Sequence, residues 1–95
     1  RAIELDARYA GAYTDRGIAR SMLGDLKGGM ADFDRAVELE PRSPLYRMNR
    51  AIGREKAGDV KGAIEDLEKT LELAPKEWPR RPGVEFTLER LRKGK

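Results

Sequence analysis

Cysteine and histidine are both missing from this 95-residue chain. Without Cys there is no disulfide and no thiolate nucleophile, and without His the commonest general base and metal ligand is gone. No metal site, cofactor site or catalytic residue set is therefore expected, and the chain reads as a non-enzyme. Aromatic residues are scarce at 6%, which argues against a sheet built on aromatic and β-branched side chains. No apolar run approaches the roughly 18 to 20 residues a membrane span needs. Nothing at the N-terminus has the basic and then apolar order of a signal peptide. The expectation is a soluble chain without membrane contact, its compartment open and the cytoplasm the default. A one-sided charge is lacking too. Lys and Arg number 20 against 17 Asp and Glu, a net +3, too thin an excess to imply a nucleic-acid partner without a visible patch.

What is present is a balance of charged and hydrophobic residues, 39% each, which suits amphipathic helices. The expected fold is all-α, in one domain over residues 1–95. Within it the sequence repeats at an offset of 34 residues, so that 10–43 matches 44–77. Identities include Arg16/Arg50, Ile18/Ile52, Arg20/Arg54, Gly24/Gly58, Asp25/Asp59, Asp32/Asp66, Leu39/Leu73 and Pro41/Pro75. Arg1 to Asp6 match Arg35 to Glu40 at the same offset. Residues 1–9 are accordingly expected to be the end of a truncated upstream repeat, cut from a longer chain.

Helices are expected at Ala7–Leu23, Leu26–Leu39, Pro44–Ala57, Val60–Leu73 and Gly83–Lys93. Glycine followed by aspartate at 24–25 and 58–59 supplies a left-handed helix end and then a cap for the next helix. Ser43 before Pro44 starts the third helix. Over residues 78–95 the repeat fails, yet Val84, Leu88 and Leu91 form an apolar stripe. A capping helix is expected there, with Trp78 at the junction; a divergent third repeat is the rival.

The period and its markers resemble the tetratricopeptide repeat, in which each 34-residue unit is a pair of antiparallel helices. Gly17 and Ala51 stand at the small-residue place of the first helix. Gly29-x3-Phe33 and Ala63-x3-Leu67, with Ala36 and Thr70, stand at the packing places of the second. Tyr13 keeps an aromatic that Arg47 replaces, and Thr70 stands where Ala is usual, departures expected to weaken the second unit. The resemblance implies an α-α superhelix (solenoid) of antiparallel hairpins with a C-terminal capping helix. It also implies a concave groove lined by the first helices.

Residues recurring at the repeat offset are most simply architectural. Arg16 with Asp32, and Arg50 with Asp66, recur as pairs spanning the two helices of a unit, so a salt bridge inside each unit is expected. The acidic residues Asp32, Asp34, Glu38 and Glu40 otherwise read as a solvated face. Lysine and glycine near the turns lack the G-x-x-x-x-G-K-[ST] spacing of a phosphate loop. Gly29 inside the second helix, opposite Ala63, is expected to cost stability relative to alanine.

If the resemblance holds, Gly11, Thr14, Ile18 and Met22 project into the groove from the first unit, and Leu45, Met48, Asn49, Ile52 and Lys56 line it in the second. Members of the family that grip a C-terminal carboxylate use Lys and Asn at places held here by Thr14 and Ile18, which argues against such a clamp. The expected function is a protein-interaction scaffold binding a peptide or partner helix. One alternative is self-association into a homo-oligomer. A weaker one is nucleic-acid binding through Arg80, Arg81, Arg90, Arg92, Lys93 and Lys95, which Glu85 and Glu89 dilute.

Overall fold

Gly24 and Gly58 turn the chain with φ of 96° and 91°, a left-handed conformation that costs glycine nothing and other residues strain. They sit at the tops of two helical hairpins. The computed structural model describes residues 9–94. It contains α1 (Ala10–Met22), α2 (Leu26–Leu39), α3 (Pro44–Lys56), α4 (Val60–Leu73) and α5 (Arg81–Lys93). The described residues are helical with no strand. The upstream match of Arg1 to Asp6 and the expected helix start at Ala7 lie outside the described residues.

Capping explains the boundaries. Asp25 and Asp59 each accept a bond of 2.9 Å from the backbone N–H three residues on, at Gly28 and Gly62, which satisfies a donor the helix itself leaves unpaired. Ser43 accepts from the Tyr46 N–H at 3.3 Å, and Pro44 takes the first turn of α3, where no N–H is needed. At the end of α4 the orphan carbonyls of Leu71 and Ala74 each accept a bond of 3.1 Å from Arg81. This cap ties α4 to the start of α5.

α1 packs on α2, α3 on α4, α2 on α3 and α4 on α5, the arrangement of a helical repeat array. Principal extents of 43 × 33 × 19 Å leave a thickness of about two helix diameters, so the hairpins stack side by side in two layers. The core cluster joins Ala51, Ala63, Leu67, Val84 and Leu88, with Met48, Ile64, Trp78 and Leu91 packed against it. Thus α5 covers the second hairpin through the expected stripe, and Trp78 fills the junction.

The repeated ion pairs form. Arg16 reaches Asp32 through two bonds of 2.9 and 2.8 Å, and Arg50 reaches Asp66 through two of 2.9 Å. Bonds from Arg16 hold the Asp32 carboxyl below its ordinary range against the opposing pull of burial. The bond to Asp66 raises Arg50. Sequence reading missed the third members, Arg20 and Arg54, which reach the same carboxylates at 3.4 and 3.1 Å. They recur at the repeat offset, so the signal was there.

Three expectations need correction. Asp32 is buried, 3% exposed, and Asp34 pairs with Arg50, so these two do not form a solvated face. Gly29 is not a defect: an added Cβ would stand 2.8 Å from the Gly17 carbonyl oxygen and against the Ser21 hydroxyl. The missing methyl lets α1 and α2 approach. Thr70, finally, does not loosen the second unit. It is fully buried, and its hydroxyl donates to the Asp66 carbonyl at 2.7 Å.

Candidate functional site

The first helices of the hairpins, α1 and α3, leave a cleft between them of about 200 Å³. Its rim is Ile18 and Met22 from α1 and Asn49, Ile52 and Lys56 from α3, with Ser21 beside them. Its floor is Phe33 of α2, reached past Gly53. Ile18 is 40% exposed, Ile52 44% and Met22 75%. Leaving such side chains in water forfeits burial free energy of about 1.5 to 3 kcal/mol each when fully covered. Clustered around a depression, they make a place where an apolar group gains by docking.

The floor exists because of two glycines. The Phe33 ring lies between Gly17 and Gly53, and a Cβ on either would come within 3.0 Å of it. Gly53 has no glycine counterpart in the first unit, where Ala19 stands at the equivalent place. A glycine inside α3 with no glycine at the equivalent place in the first unit is the signal from which this floor could have been found. Sequence reading missed Phe33, Ser21 and Gly53 as lining residues because it took only the outward-facing stripe of each first helix.

A second cleft, of about 350 Å³, opens between α3 and α5. Met48, Ile52 and Leu67 form one wall, and Arg80, Gly83, Val84 and Thr87 the other. Ile52 lines both clefts, so the two adjoin at α3. The contribution of α5 had no signal in the repeat, because α5 departs from its register.

The structure therefore brings together Ile18, Met22, Asn49, Ile52 and Lys56 in one cleft and sets Met48 in the adjoining one. It does not bring Gly11, Thr14 or Leu45 to either. Thr14 is 4% exposed, and its hydroxyl has no hydrogen-bond partner among the described residues, so it faces the interior. Leu45 is half-buried and lines neither cleft. Met48 is also half-buried, packed on the core cluster, because α5 folds back over that end of α3.

Of the basic residues near the C-terminus, Arg81, Arg90, Arg92 and Lys93 are engaged within the chain, whereas Arg80 is exposed and forms no ion pair among the described residues. Arg90 pairs with Glu55 at 3.1 Å, Arg92 with Glu68 at 2.7 Å, and Lys93 with Glu89 at 3.7 Å. Arg81 caps α4 as described. Lys95 lies outside the described residues. On the far side of α1, Tyr13 is covered by the guanidinium groups of Arg16 and Arg35 at 5.7 and 5.5 Å from the ring centre, a cation–π contact joining α1 to α2.

Among the described residues no group of three or more acidic side chains is placed to hold a metal ion. Among these residues no helix is long and apolar enough to cross a membrane. No family model matches the sequence, and none of the curated proteins matches it.

Proposed function

We propose that this chain is a protein-interaction scaffold, without catalytic chemistry of its own, that binds a peptide or partner helix along the concave groove. The observation that carries the reading is the exposure of Ile18, Met22 and Ile52 around a depression floored by Phe33. The 34-residue period and its resemblance to the tetratricopeptide repeat support the same use of the first helices. Methionine at the rim suits a partner of variable shape, since its side chain is flexible and polarisable. Selection from a random peptide library tests the reading. Enriched peptides should share apolar residues and should lose affinity for the Ile52→Glu variant, whose circular dichroism stays that of the wild type. Peptides that bind both proteins alike would place recognition elsewhere.

A second reading, self-association, draws on the outer face of α1. Ala12, Arg16 and Ala19 are exposed, whereas their repeat equivalents Tyr46, Arg50 and Gly53 are half-buried or buried against the preceding hairpin. That face fits a further helix of the same repeat. Sedimentation equilibrium over a range of concentrations tests it: growth in mass with concentration supports end-to-end stacking, and a constant monomer mass contradicts it.

A further inference from the structure

The charges along the groove go beyond its apolar character. Each of the two clefts carries one exposed cation, Lys56 in the first and Arg80 in the second. Among the described residues neither is drawn into an ion pair, whereas Arg81, Arg90 and Arg92 close by on the same helical layer are. No acidic side chain lines either cleft. Glu55, next to Lys56 in the sequence, is turned to Arg90 of α5. The chain carries 17 acidic residues at a net charge of +3, so their absence from both cleft linings is a local sorting and not a shortage.

We infer that the groove selects an apolar peptide segment flanked by acidic side chains, with one flank opposite Lys56 and the other opposite Arg80. The inference rests on the groove reading above and adds the chemistry of the partner. The physical division of labour is clear. Apolar anchors entering the two clefts supply affinity, and Ile52, shared by both clefts, sits beneath the middle of the segment. The two cations work at the rim, where charge complementarity acts on association rate and on choice among partners more than on raw affinity. A peptide with basic flanks would place like charges against Lys56 and Arg80 and be rejected. Asn49, half-buried in the first cleft, can both donate to and accept from the peptide backbone through its amide.

The test uses three fluorescein-labelled peptides that share a core of Leu and Phe and differ only in their flanks, which are Glu, Gln or Lys. Fluorescence anisotropy with the wild-type chain should rank them Glu, Gln, Lys. The Glu peptide should bind roughly tenfold tighter than the Gln peptide at low salt, a gap that closes as salt shortens the screening length. The double variant Lys56→Glu with Arg80→Glu changes two exposed side chains, so its circular dichroism should match the wild type and its ranking should invert. Equal affinity for all three peptides overturns the acidic preference and leaves the groove reading standing. No binding by any of them overturns both. A preference for Glu flanks that survives in the double variant overturns the assignment to Lys56 and Arg80. A labelled single-stranded oligonucleotide that binds more tightly than the Glu peptide overturns the proposal in favour of a phosphate backbone.

Discussion

The Phe33 ring occupies the space that a side chain on Gly53 would need: a Cβ there would stand 2.8 Å from Cδ2 and Cε2 of the ring and 3.0 Å from the Met30 sulfur. This contact fixes how closely α3 rides over α2 and so sets the width of the first cleft. Gly53→Ala should cost about 1 to 3 kcal/mol by overpacking. Phe33→Leu should recover part of that loss in the double variant, since the smaller side chain yields the space. Urea denaturation of both single variants and the double one gives the coupling. Additive losses would mean that the two residues do not touch as described.

Two further glycines should respond in opposite directions. Gly29→Ala should lower the melting temperature, because the new methyl meets the backbone oxygen of Gly17, which cannot swing aside as a side chain tip can. Gly83→Ala should raise it, since open space surrounds that position in the first turn of α5 and alanine loses less backbone entropy, worth roughly 0.5 to 1 kcal/mol. Differential scanning calorimetry of the two variants decides both.

The two repeated carboxylates are not equivalent. Asp66 is 2% exposed and faces Arg50 at 15% and Arg54 at 24%, whereas Asp32 faces Arg16 at 54%. Asp66→Asn should therefore cost about 1 to 3 kcal/mol, because two largely buried guanidinium groups lose a charged acceptor although Asp34 still holds Arg50. Asp32→Asn should cost less, because Arg16 is left in water. Chemical denaturation ranks them. An equal cost would show that the exposure of the arginine does not matter.

The Asp32 carboxyl also fixes a pH dependence. Its folded pKa lies below the ordinary value of 3.8, so the folded state binds its proton less readily than the unfolded state does. The stability it contributes is complete above the ordinary carboxylate range and is lost as pH falls below 3.8 through the lowered folded value. The gap in denaturation midpoint between wild type and Asp32→Asn should thus be wide at about pH 7 and narrow progressively as the pH falls below 3.8. A gap unchanged with pH would contradict the ion pair.

Glutamate substitutions separate groove from core along one line of side chains. Met22→Glu alters a residue 75% exposed and should leave helicity intact while weakening peptide binding. Met48→Glu places a charge against the cluster of Ala51, Leu67 and Val84, where an unpaired carboxylate is costly, and should reduce helicity and melting temperature. Circular dichroism distinguishes them, and equal loss in both would show that the rim at Met22 is also part of the core.

Much of the fold was legible because local and repeated signals agreed. α2 and α4 begin and end where the Gly-Asp turns and the last apolar residues put them, and the pairing of Arg16 with Asp32 followed from recurrence alone. The groove was legible only in part. Helical spacing places Thr14 and Ile18 on one stripe, but that stripe wraps around α1, so that Ile18 meets solvent and Thr14 turns inward. Which edge of the stripe stays open depends on how far the neighbouring hairpin rotates, and that is set by contacts such as Phe33 with Gly53, distant in sequence. The second cleft was not legible because its wall on α5 follows no repeat register. Gly29 was misread for a related reason: helix propensity is a local quantity, and the close approach of Gly17 is not.

The central claim is that partners bind across the first helices, and amide chemical shifts mapped by NMR during titration with the Glu-flanked peptide test it most directly. The account predicts that the largest changes fall on Ile18, Met22, Asn49, Ile52 and Lys56, with a second set at Arg80 to Thr87. Changes confined to the outer faces of α2 and α4, for instance at Arg35 and Lys69, or to Ala12 and Ala19 on the outer face of α1, would contradict it.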